Sequence, residues 1–94
     1  MFVRVTRGRL DLAKFDEVRG ITPDIAAAIR ALPGCQSHVN AGDRAAGTTI
    51  TVTTWDTEEH ARFSRSDALA GLMSRLQTTG IELEPPEIYE SFPE

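Results

Sequence analysis

The period of the apolar residues switches repeatedly between two and three-to-four along this chain, and that order of switches limits its folds more than any single motif does. FVRVTRG, residues 2–8, alternates Val3 and Val5 against Phe2, Arg4 and Thr6, the pattern of a half-buried strand closed by Gly8. From Asp11 to Leu32 the pattern is helical: Leu12 and Phe15 begin it, and Ile25, Ala28, Ile29 and Leu32 follow on one stripe. GITPD, residues 20–24, is expected to interrupt that helix, with Thr22 as a new N-cap and Pro23 at the first helical position. Pro33-Gly34 ends it. CQSHVNA, residues 35–41, then sets Cys35 and Val39 against Gln36, His38 and Asn40 as a second strand. GDRAAG, residues 42–47, is a hairpin link into GTTITVTTW, a β-branched third strand ending at Trp55. Asp56 and Glu59 have capping-box spacing for a second helix, and Ser66 or Asp67 offers a fresh cap ahead of Leu69, Leu72, Met73 and Leu76. EIYESF, residues 87–92, closes the chain as a fourth strand, with Ile88, Glu90 and Phe92 opposite Tyr89 and Ser91.

The resulting order, β-α-β-β-α-β, is an α+β ferredoxin-like arrangement: two right-handed helical crossovers put both helices on one face of a four-stranded antiparallel sheet. Strict alternation assigns Val3, Val5, Val39, Ile50, Val52, Ile88 and Phe92 to the face under the helices. It assigns Phe2, His38, Thr49, Thr51, Thr53, Trp55 and Tyr89 to the open face. That second set is too aromatic and β-branched for a wet surface, so a second copy packed across a C2 axis is expected to cover it.

Composition narrows the function classes. Ninety-four residues are expected to form one domain, 1–94, whose small core would gain from dimerisation. The net charge of −4, with acids gathered at Glu82, Glu84, Glu87, Glu90 and Glu94, argues against a nucleic-acid partner. Arg4, Arg7 and Arg9 read as a solvated edge or as pairing partners for those acids, with a small anion patch as the alternative. Cys35 stands alone, which fits a reducing cytoplasm and a small buried apolar role. Met1 runs into FVRVTRGRL without a leader-like segment, and no apolar run is long enough to span a membrane. Phosphate-binding glycine loops and metal-ligand spacings are absent, so neither a nucleotide cofactor nor a metal is expected.

LPGC at 32–35, TTWDTEEHA at 53–61 and PEIYES at 86–91, in that order and spacing, resemble the antibiotic biosynthesis monooxygenase domains over essentially the whole chain. The resemblance implies a dimeric α/β barrel with a pocket between the helices and sheet of each protomer. It also implies oxygenation of an electron-rich aromatic or quinol-like molecule by O2 without metal, flavin or haem. A non-catalytic ligand-binding or assembly domain on the same fold is the alternative. One branch of the superfamily degrades haem with an asparagine on the first strand and a tryptophan and histidine on the second helix; this chain lacks that set.

Two histidines are the candidate catalytic bases. His60, in the first turns of the second helix, could act as a base, or is a surface residue among EEHAR. His38, in a QxHxN face, could hydrogen-bond a ligand or form a polar seam between subunits. Phe15, Phe63, Leu72 and Met73 are the helix residues suited to line a substrate pocket over Val5 and Val52, with plain core packing as their alternative. Trp55 belongs to that pocket or to the dimer seam, and Tyr89 could reach either a ligand or a backbone carbonyl.

Overall fold

The computed structural model describes residues 1–93. Strand β1 (Phe2–Arg9) leads through a 3-10 turn (Leu12–Lys14) into helix α1 (Phe15–Arg30). Strands β2 (Cys35–Asp43) and β3 (Thr48–Trp55) form a hairpin, and three short helices follow: α2 (Glu58–Ala61), α3 (Arg65–Ala68) and α4 (Ala70–Gln77). Strands β4 (Glu82–Leu83) and β5 (Glu87–Glu90) end the chain. The sheet order is β2-β3-β1-β4, every pairing is antiparallel, and β5 also lies beside β1. With the helices on one face, this is the expected ferredoxin-like arrangement.

The fourth strand position is split by its own sequence. Pro85 and Pro86 can donate no ladder hydrogen bonds, so pairing stops at Leu83 and resumes at Glu87. The register against β1 slips by one residue across the gap, from Gly8↔Leu83 to Val5↔Glu87. That slip acts as a bulge and returns Ile88 to the face that Leu83 occupies. Pairing ends at Glu90, leaving Phe92 outside the strand and 89% exposed.

Helix α1 is unbroken, contrary to the expectation at GITPD. Pro23 removes the hydrogen bond that the Arg19 carbonyl would otherwise receive. The Thr22 hydroxyl donates to that carbonyl at 2.8 Å, so the orphan is satisfied without a break. The second helical segment also starts differently: Thr57, not Asp56, is the N-cap, accepting from His60 N at 3.1 Å. Ser64 caps α3 in place of Ser66 or Asp67.

Which sheet face the helices cover is the main correction. Phe2↔Trp55, Arg4↔Thr53 and Thr6↔Thr51 lie across β1 and β3, and His38↔Thr53 and Asn40↔Thr51 across β3 and β2. These residues, with Ile88 opposite Arg4, face the helices. Val3, Val5, Val39, Ile50, Val52 and Tyr89 have the opposite parity and form the open face, where Val39 is 59% exposed. Alternation was legible, and Ile88 and Tyr89 of β5 stand on the expected faces, but on β1, β2 and β3 its direction was inverted, because the helices do not rest on valines: they pack on one another and on Trp55, and bridge a polar floor. A bulge between Cys35 and Ser37 also uncouples Cys35 from Val39 and turns Cys35 toward the core.

The core gathers Val18, Ile21, Ile25 and Ile29 of α1 with Leu69, Leu76, Ala61 and Trp55. Trp55 is fully buried, its indole N–H donating to Thr53 Oγ1 at 2.8 Å and its ring 5.1 Å from that of Phe63. It therefore wedges the end of β3 against the loop after α2, rather than facing a subunit seam. Trp55→Ala should cost about 3–5 kcal/mol by chemical denaturation, the usual range for emptying a buried tryptophan site; a loss below about 1 kcal/mol would contradict this packing.

Candidate active site

Between α1, α3–α4 and the sheet lies a cavity of about 430 Å³, partly open to solvent. Its walls are mostly apolar, with Phe15, Val18, Ile25 and Ile29 from α1 and Phe63, Leu69, Met73 and Leu76 from the second helical segment, interrupted by Arg19 and Thr22 of α1 and Arg65 of α3. Its floor is a patch of strand side chains, Arg4, Thr6, Asn40, Thr49, Thr51 and Thr53. Gly42 belongs to this floor because a Cβ there would sit 2.7 Å from the Phe15 ring, so glycine lets that ring close over β2. Arg44 stacks on Phe15 at 4.4 Å from its centroid and pairs with Asp16 at 2.9 Å, fixing the ring from outside.

Arg4 is the residue that sequence reasoning left out of the site, having favoured a solvated edge over a small anion patch for it. An arginine at alternating strand spacing beside Arg7 reads as solvated edge, and Arg7 does pair with the late acid Glu87 at 3.3 Å. Arg4 has the other parity and is only 4% exposed. Its Nη1 donates to the carbonyls of Ala61 at 2.9 Å and Phe63 at 2.7 Å, and its guanidinium lies 3.8 Å from the Phe63 ring centroid. Burial, followed by the nearby Arg65 charge, pushes its pKa down to about 10, which still leaves it charged at neutral pH. The one available signal was its place on the same parity as Thr6, opposite the threonine run of β3.

The floor is rich in donors. Thr51 Oγ1 donates to Asn40 Oδ1 at 2.5 Å, leaving the Asn40 amide N–H groups without a protein acceptor among the described residues. Thr53 accepts from Trp55 and lines the cavity beside Arg4. Among the described lining residues there is no Asp, Glu, His, Lys, Cys or Tyr. The arrangement can therefore hold an apolar ring and stabilise an oxyanion, but it contributes no side chain that titrates as a general base near neutrality.

The sequence-based site is divided accordingly. Phe15, Phe63 and Met73 line the cavity; Leu72 packs against the core beside it. Val5 and Val52 lie on the open face and Trp55 is sealed in the core, because the face assignment was inverted for β1 and β3; Tyr89 lies on the open face, as the alternation placed it, and so outside the cavity. Neither histidine lines the cavity. His60 Nδ1 is 2.7 Å from Asp56 Oδ1, and this pair packs against Gly34, whose φ of 80° suits glycine and where any Cβ would collide with both side chains. Asp56 N also donates to Gly34 O at 3.0 Å, so the LPGC and WDTEEH motifs meet as a structural corner. The His60 hydrogen bond holds the Asp56 carboxyl below its usual range.

His38 is buried near Thr22, Ala26 and Arg30 of α1, and its Nε2 has no hydrogen-bond partner among the described residues. Burial, reinforced by Arg30, lowers its pKa below 6.5. A lowered histidine pKa means that the unfolded chain binds the proton more readily, so the associated stability is present above 6.5 and is lost as pH falls through the folded value. Denaturation midpoints should accordingly fall more between pH 7.5 and 5.5 for the wild type than for His38→Gln; equal falls would contradict a buried neutral His38.

Among the described residues no group of three or more His, Cys, Asp or Glu side chains is placed to share a metal ion, and no helix is long and apolar enough to cross a membrane. No family model matches the chain, and no curated protein does. Solved structures do. A putative antibiotic biosynthesis monooxygenase from Deinococcus radiodurans aligns over 100% of this chain and 95% of its own, with a TM-score of 0.81 at 16% identity. HapK from Hahella chejuensis aligns over 100% and 95%, with a TM-score of 0.78 at 16% identity. SnoaB, a cofactor-independent oxygenase from Streptomyces nogalater, aligns over 99% and 94%, with a TM-score of 0.67 at 17% identity. The chain thus has the fold of the antibiotic biosynthesis monooxygenases.

Proposed function

We propose that this chain is a cofactor-independent monooxygenase acting on an electron-rich aromatic or quinol-like small molecule bound between its helices and sheet. The observation that carries the reading is the cavity itself: largely apolar walls that seat a ring, above a floor of fixed cationic and neutral donors. The likeness to a cofactor-independent oxygenase supports it at the level of fold. In such a reaction the substrate supplies the electrons: a ring CH2 becomes a carbonyl, one oxygen atom of O2 enters the product, and the other leaves as water. Arg4 and the Asn40 amide would hold the oxyanion formed when the substrate loses its proton. With no side-chain base in the lining, that proton passes to water.

The missing base also favours a second reading, a non-catalytic ligand-binding domain with the same cavity. Oxygen consumption separates the two. With a panel of hydroquinones and anthrones in metal-free buffer, uptake should exceed a heat-denatured control for some members and fall at least about tenfold in Met73→Trp, which fills the cavity. No uptake for any compound would leave the binding domain as the better account.

The chain is further proposed to work as a cytoplasmic homodimer. Val3, Val5, Ile50 and Val52, only partly covered, form with Val39 and Tyr89 an apolar sheet face that a second copy would bury by the same residues. Sedimentation at micromolar concentration should give a species of twice 10.3 kDa, and Val39→Lys should shift it toward the monomer. A lone 10.3 kDa species for the wild type would defeat the dimer.

A further inference from the structure

The charge inside the cavity opposes that of the chain. The protein carries a net −4, yet the cavity lining includes Arg4, Arg19 and Arg65 and no carboxylate among the described residues. None of the three forms an ion pair among those residues, whereas Arg7, Arg44, Arg62 and Arg75 all do. Arg4 gives one nitrogen, Nη1, to two backbone carbonyls, and Nε and Nη2 have no acceptor among the described residues. Arg65 spends one nitrogen on the Glu84 carbonyl, at 3.3 Å.

Arg4 and Arg65 line the same cavity with guanidinium N–H groups to spare and no carboxylate among the described lining residues, and like charges sharing a partly desolvated site repel one another. An oxyanion seated there removes the repulsion and accepts the spare N–H groups, with a planar two-oxygen geometry that the guanidinium fork matches. Phe63 lies against Arg4 and beside Met73 and Leu69 in the lining, so a ring attached to that oxyanion would rest on apolar wall.

We infer that the cavity selects aromatic ligands that carry a formal negative charge, a carboxylate or an ionised enol, with the charge held between Arg4 and Arg65. This rests on the cavity being the substrate site, and it narrows the substrate class from electron-rich aromatics to acidic ones. For an ionised enol it also supplies what the lining lacks, because that proton is already gone before binding; a carboxylate ligand would still give up its ring proton to water.

The test is calorimetric binding at pH 7.5 and low salt with two matched pairs, 2-naphthoate against 2-naphthamide and 2-hydroxy-1,4-naphthoquinone against its methyl ether. At least one anion should bind about tenfold or more tightly than its neutral partner, the scale of a charge-assisted hydrogen bond. The stronger pair identifies carboxylate or enolate as the preferred group. The preference should shrink severalfold in Arg65→Gln and at high salt; Arg4→Gln is included where its melting curve shows that it folds. Neutral partners binding as tightly as the anions would overturn the inference and leave the substrate cavity standing. A preference that survives in Arg65→Gln would overturn the assignment to these arginines, and no binding by any of the four compounds would overturn both readings.

Discussion

Arg4 holds the sheet, the helical segment and the cavity in one arrangement. Its guanidinium reaches from the centre of β1 to two carbonyls at the end of α2 and lies against Phe63, whose other neighbour is Trp55. Hydrogen bonds from a charged donor are among the stronger local ties available, and here they join residues nearly sixty positions apart in sequence. A purely apolar residue at this position would let the floor collapse into ordinary core. A charged one keeps a polar floor beneath apolar walls, and the rest of the site follows from that.

The same constraint explains why the sheet is two-sided in an unusual sense. The face covered by the helices carries Arg4, Thr6, Asn40, Thr49, Thr51 and Thr53, and the uncovered face carries the valines. The two irregularities in pairing maintain this division. The bulge after Cys35 and the slip across Pro85-Pro86 each insert one residue, and each brings an apolar side chain, Cys35 or Ile88, onto the helix side at the Trp55 end of the sheet.

Much of this fold was legible, since element order depends on periodicity, and periodicity survives local errors. The details that failed have local physical causes. Thr22 repairs the hydrogen bond that Pro23 deletes, and sequence rules for proline do not anticipate a neighbour's hydroxyl. The capping-box spacing at Asp56 was real, but Thr57 took the cap and Asp56 took His60. The inverted sheet face was the costly error, because alternation alone cannot say which face the helices cover, and the rule that apolar residues go under helices presumes a filled core. Phe15 and Met73 were found regardless, since helix stripes point inward whether core or cavity lies beneath them, and Phe63, expected on a helix, reaches the cavity from the loop between α2 and α3.

The central claim is that the helices close over a polar-floored cavity on the threonine side of the sheet. It is tested most directly by methyl-resolved NMR with a small aromatic such as 1-naphthol. Shifts and ligand contacts should concentrate on Met73, Leu69, Ile25 and the methyl groups of Thr51 and Thr53, with Val3, Val39 and Val52 unmoved. Perturbation centred on those valines instead, with the helix methyls silent, would contradict the account.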